Sequence, residues 1–148
     1  MRLLSASDQG VKFIDVEGPP GYANARVCLK GVPEFVSAPL FSSEWLTTFL
    51  GQAKVNQESG TGMIIGITRH EPYFVKIDNG SSATGDINYF NKRGEQVFRG
   101  ESNSGFIITN VVPGLHTLVL GALDEAEGLA TYVIDVEPNY HSTLIHSF

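Results

Sequence analysis

The sequence predicts a mainly-β protein of many short strands, with one short helix in its N-terminal half. Sixteen glycines and seven prolines in 148 residues punctuate the chain too often for long helices. Between the breaks lie short runs of apolar and β-branched residues, alternating as half-buried strands do or continuous as buried ones are. The clearest is SGFIITNVVPGLHTLVL, Ser104 to Leu120. There Pro113-Gly114 separates two apolar runs and suits the central positions of a type II turn, so the stretch predicts a buried β-hairpin.

Taken in order, Val11 to Val16 carries apolar side chains on both faces, with Val11, Phe13 and Asp15 on one of them, and predicts a short strand. Gly18-Pro19-Pro20-Gly21 stops it, since proline cannot donate to a ladder. Ala25, Val27 and Leu29 alternate with Arg26, Cys28 and Lys30, a half-buried strand. Gly31 to Ser42 reads as a proline-bearing loop. Trp45, Leu46, Phe49 and Leu50 then fall on one helical face behind a capping serine, which predicts a helix from about Ser43 to about Ala53. Gln52 to Thr61 is polar, a linker or exposed loop.

Beyond it the pattern is β throughout. Met63 to Thr68 is continuous and apolar, as a central strand is. His70-Glu71-Pro72 and Asp78 to Ser82 read as turns, with Tyr73, Val75 and Ile77 alternating between them. Ile87 to Phe90 and Gln96 to Phe98 flank Asn91-Lys92-Arg93-Gly94, a hairpin with glycine at its left-handed position. Asp124 to Gly128 is an acidic loop, Leu129 to Val136 a closing strand, and Leu144, Ile145 and Phe148 let the tail dock as a last strand. Phe106, Ile108, Val119 and Ile134 are the expected inter-sheet core.

Composition excludes several functions. A formal net charge of −6 with scattered basic residues argues against nucleic acid, whose phosphates demand clustered Lys and Arg. No apolar run approaches the roughly 20 residues of a spanning helix, and Met1 to Leu4 is too short for the apolar core of a signal peptide. The expectation is a soluble chain with no membrane span. Cys28 is the single cysteine, so no disulfide within the chain is available and the ordinary reading is a strand residue rather than a nucleophile.

The candidate sites are weak for stated reasons. His70, His116, His141 and His146 lack a metal-ligand spacing. Asp124, Glu125 and Glu127, with Asp78 or Asp86 nearby, lack the alternating pattern of a calcium loop, and a solvated acidic loop explains them better. Ser104-Gly105 belongs to a strand entry rather than a nucleophile elbow. Gly60-x-Gly62 and Gly18 to Gly21 lack the Lys-Ser/Thr of a phosphate loop. Trp45, Tyr73, Tyr89 and Tyr132 are candidates for a carbohydrate-stacking face, although sandwich aromatics usually fill the core. The sequence therefore predicts no catalytic, metal or cofactor residue.

The glycine-aromatic strand at Gly105-Phe106, the Asn110-Val-x-Pro-Gly114 turn and the strand after it resemble the carboxypeptidase regulatory-like (transthyretin-like) domains over Thr61 to Val136. Tyr22 to Val27 resembles a strand of the same modules. The resemblance implies an antiparallel Greek-key β-sandwich, transthyretin-like or immunoglobulin-like, of seven to nine short strands. Residues 61–148 would form the regulatory-like sandwich. Residues 1–60, with the helix near 43–53, would be part of the same sandwich or a divergent first module. It further implies a non-enzymatic structural or protein-interaction module, outside the cytoplasm, with a protein partner or self-association. A carbohydrate-binding accessory domain is the first alternative and a virion structural accessory protein the second.

Overall fold

In a computed structural model, the structure describes residues 2–5, 11–30, 38–69, 73–78, 85–122, 130–138 and 140–146, with only the backbone described at 2–5, 11–12, 28–30 and 146. Two sheets and one helix make up these residues. The larger sheet has eight strands: β1 (Arg2–Ser5), β2 (Val11–Val16), β3 (Ala25–Lys30), β4 (Gly62–Thr68), β6 (Ile87–Phe90), β7 (Gln96–Val97), β8 (Ser104–Val111) and β11 (His141–His146). The smaller joins β5 (Tyr73–Ile77), β9 (Gly114–Ala122) and β10 (Ala130–Val136), with β9 in the middle. Helix α1 (Ser43–Gln52) begins where expected: the Ser42 hydroxyl accepts from the Trp45 N–H at 3.2 Å and closes the first turn.

Alternation decides what each layer buries. Ile64, Phe106, Ile108 and Leu144 of the larger sheet meet Tyr73, Val75, Ile77, Leu118, Leu120, Ile134 and Val136 of the smaller. Ile65, Ile107 and Phe90 point to the opposite face, where Leu46 and Phe49 of α1 cover them. The larger sheet is thus the middle layer. Its glycines lie under aromatic rings: in the cross-strand pairs Gly66–Phe106 and Gly105–Phe90, a Cβ on either glycine would stand 2.1 Å from the ring. The rings occupy space that a side chain would otherwise fill, which offsets the usual cost of glycine inside a strand.

The expected buried hairpin at Pro113-Gly114 is corrected. β8 belongs to the larger sheet and β9 to the smaller, so the chain crosses between layers there. Gly114 does take a positive φ, +131°. Yet the apolar faces of β8 and β9 oppose each other across the core, and face-to-face burial wins over edge-to-edge pairing. Parity corrects a second expectation. His116, Leu118 and Leu120 point inward, so Val119 lies on the outer face and is only half-buried.

Further differences concern number and direction. The described residues form eleven strands, more than seven to nine, and β11 runs parallel to both β3 and β4, against the antiparallel expectation. His141, Ser142, Thr143 and Leu144 of β11 are all buried, the two-faced burial usual for parallel strands. The tail does dock as a strand, but between β3 and β4. The larger sheet therefore runs across residue 60.

The hairpin at Asn91 to Gly94 forms as read, with Gly94 at φ +79°. The polar loop after α1 is pinned rather than loose. Asn110, at φ +57°, accepts from the Glu58 N–H at 2.7 Å and donates to the Asn56 carbonyl at 3.0 Å. The expected turns at His70 to Pro72 and Asn79 to Ser82, residues 31–37, the expected acidic loop at Asp124 to Gly128, Leu129, Phe148 and the side chains of Cys28 and His146 lie outside the described residues.

Candidate functional site

The most connected polar group is one that alternation placed on the wrong side. Asp15 and Arg26 are direct cross-strand partners on β2 and β3, so their side chains share a face, and that face turns inward. Arg26 is 2 % exposed. Its Nε and Nη2 donate to the two Asp15 oxygens at 2.6 and 2.9 Å, a bidentate fork. Its Nη1 reaches Asp135 on β10 and Glu137 Oε1, the latter at 2.8 Å, and the Tyr140 ring lies 5.6 Å from the guanidinium. The bond to Asp15 raises the Arg26 pKa most, against desolvation, and Glu137 adds to it. One permanently charged group thus ties the larger sheet to the edge of the smaller. The available signal was Asp15 beside the core residue Phe13 on a strand that pairs with Arg26.

A second cluster closes the crossover. His116 Nδ1 lies 2.6 Å from Asp78 Oδ2 and Nε2 lies 2.6 Å from the Val112 carbonyl oxygen. Both partners are acceptors, so each ring nitrogen faces an oxygen. The Thr117 N–H donates to Asp78 Oδ1 at 2.8 Å. Desolvation opposes ionisation of Asp78, but the bonds from His116 and Thr117 and the nearby histidine outweigh it and lower the Asp78 pKa. An Asp-His pair resembles part of a hydrolytic triad, whose base needs a free Nε2 aimed at a nucleophile. Here Val112 occupies that nitrogen.

The other histidine whose side chain is described is buried and has no charge partner among the described residues. His141 is 4 % exposed and packs edge-on against Phe41, ring centres 5.5 Å apart. Among the described residues its Nε2 has no hydrogen-bond partner. Desolvation lowers its pKa to about 4, so it is neutral at pH 7. His116 and His141 are far apart in the fold, one in the smaller sheet and one facing α1. Among the described residues, no three His, Cys, Asp or Glu side chains come together in a metal-holding group.

The four aromatics considered for a stacking face are not brought to one surface. Tyr73 is buried, its hydroxyl 3.3 Å from Ser104 Oγ. The Tyr89 hydroxyl accepts from the Val75 N–H at 3.3 Å, and Tyr132 packs against the inter-sheet core. Burial pushes the phenol of Tyr73 up to about 12 and raises those of Tyr89 and Tyr132. Trp45 lies on the opposite side of the larger sheet, between Phe41 and Phe49 at 5.5 Å each. Ser104 is buried and binds the Glu101 backbone, closing a loop rather than meeting a base. The Gly18 N–H donates to the Asn24 side chain, which fixes that turn.

Two concavities stand out among the described residues. A cavity of about 160 Å³ beside Asn24, Gln57, Met63, Tyr140 and His141 lies at one end of β4. A larger one of about 360 Å³ opens between α1 and the β6–β7 hairpin, with Phe41, Trp45 and Phe90 among its walls and Lys92 and Arg93 at its rim. On the outer face of the smaller sheet, Leu115 is 60 % and Val133 39 % exposed, and Val112, at the crossover, is 50 % exposed. Compared with known protein families, curated proteins and solved structures, the chain matches none.

Proposed function

We propose that this chain is a non-enzymatic β-sandwich module that works by binding another protein, or a second copy of itself, through the outer face of the smaller sheet. The observation that carries the reading is the apolar surface there. Leu115 pairs with Asp135, and Val133 pairs with Thr117, so Leu115 and Val133 are diagonal neighbours on one face. Val112 adjoins them through the crossover and Val119 continues the row. Exposed apolar side chains grouped on a sheet face mark interaction surfaces more often than scattered ones do. The polar clusters support the same reading, because Arg26 and His116 are engaged in holding layers together. The likeness of residues 61–136 to carboxypeptidase regulatory-like modules implies the same passive role.

The test is a photo-crosslinking side chain placed at Leu115 in cells that express the chain, with Glu44 as the control position. A discrete adduct, to itself or to one other protein, at 115 and not at 44 is the expected result. Equal background at both positions overturns the reading. An adduct to glycan alone would move the assignment to a carbohydrate-binding domain.

A further inference from the structure

We infer that the groove between α1 and the β6–β7 hairpin binds a small organic anion with a flat apolar body, the body resting on Phe41, Trp45 and Phe90 and the anionic group meeting Lys92 and Arg93. Its volume of about 360 Å³ falls within the roughly 300–1,000 Å³ of small-ligand sites. The walls are aromatic: Trp45 and Phe90 meet edge to face at 5.0 Å, and Phe41 stacks on Trp45 at 28°. Ile67 adds to them. Phe41 and Trp45 are half-buried, so apolar surface remains open to the groove.

The rim is charged in the sense opposite to the chain. Lys92 and Arg93 are exposed and neither forms an ion pair among the described residues, in a protein of net charge −6. The neighbouring carboxylate, Glu95, accepts from Asn91 Nδ2 at 2.9 Å and does not line the groove. Adjacent ammonium and guanidinium groups suit an oxyanion, the guanidinium through paired N–H donors.

The site is also preorganised. Asn91 Oδ1 accepts from the Arg93 and Glu95 N–H groups at 2.9 and 3.1 Å, and the Trp45 indole N–H donates to the Gly94 carbonyl at 3.0 Å. The turn that carries the cations is therefore bonded to the aromatic wall, so little ordering is left to oppose binding. A cation would be repelled at the rim, and a fully polar anion would leave the aromatic wall unused.

Trp45 is the single tryptophan, so its indole N–H gives one resonance that reports on this groove. Titration with 2-naphthoate should shift that resonance saturably, and added salt should weaken the effect. The uncharged 2-naphthamide, and the Lys92→Ala/Arg93→Ala variant, should each bind about tenfold more weakly, the order expected for lost charge-assisted bonds. Both substitutions are on exposed side chains, and an unchanged indole resonance without probe confirms the fold. No saturable shift, equal binding of acid and amide, or equal binding by the variant overturns the proposal.

Discussion

At the scale of single residues, two buried polar groups make opposite demands. Arg26 is fully partnered, so its removal leaves Asp15 buried without a counter-charge. Arg26→Met should cost about 3–5 kcal/mol, whereas Arg26→Met with Asp15→Leu should regain much of the loss, because replacing both partners removes the uncompensated charge. Equal urea midpoints for the single and double variants would contradict this. His141 is neutral when folded, with a pKa near 4 against an ordinary 6.5. Between those values the unfolded chain binds a proton that the folded chain does not, so the stabilisation is complete above about pH 6.5 and is lost as pH falls towards 4. The loss should reach roughly 3 kcal/mol over that window. His141→Phe should flatten it, as urea unfolding near pH 7 and near pH 4.5 would show; an unchanged slope in the variant would assign the effect elsewhere. Asp78 acts lower. Its depressed pKa stabilises above the ordinary carboxylate value and is lost as pH falls through the folded value.

At the scale of elements, what alternation can express was legible and what it cannot was not. The helix was readable because four apolar side chains share one face behind a cap, and β5 because Tyr73, Val75 and Ile77 alternate without ambiguity. β9 was misread because LHTLVL offers two parities, and the inward one is chosen by a polar residue: His116 turns in to meet Asp78, which sends Leu115 and Val119 out. The hairpin reading of Pro113-Gly114 failed for a related reason, since a local turn signal does not say whether the next strand pairs beside the last or faces it. The backbone there supports a prediction. A φ of +131° at Gly114 lies well beyond the left-handed well near +57° that asparagine tolerates. Gly114→Ala and Gly114→Asn should therefore both destabilise by roughly 1–3 kcal/mol. A benign asparagine in equilibrium unfolding would mean the crossover relaxes into that well. The groove beside Trp45 was invisible in the sequence, because Phe41, Trp45 and Lys92 meet only once α1 lies on the sheet.

At the scale of the whole molecule, the arrangement depends on β11. In the larger sheet β3 and β4 are not neighbours; β11 lies between them and is bonded in parallel to both. Sequence patterning could show that His141 to His146 was a strand but not where it would insert, since alternation carries no information about partner or direction. Without β11 the sheet divides into β1-β2-β3 on one side and β4-β8-β6-β7 on the other. Among the side chains described in the first block, Ile14 and Val27 form a small buried cluster with Val16 and Ala38 packed against them, and Phe13 is buried on the opposite face; its ladder to the rest of the sheet runs through β11, and a few strands without such a neighbour hold poorly in water. A chain ended after Pro138 should therefore lose hydrogen-exchange protection at the β2 and β3 amides, while those of β8, covered by both the smaller sheet and α1, keep more of theirs. A peptide spanning residues 137–148, added in trans, should restore protection to β3, because an inserted strand supplies the missing ladder on both sides. Unchanged β2 and β3 protection in the shortened chain would mean that the Arg26 bonds to Asp135 and Glu137 hold the first block without the strand between.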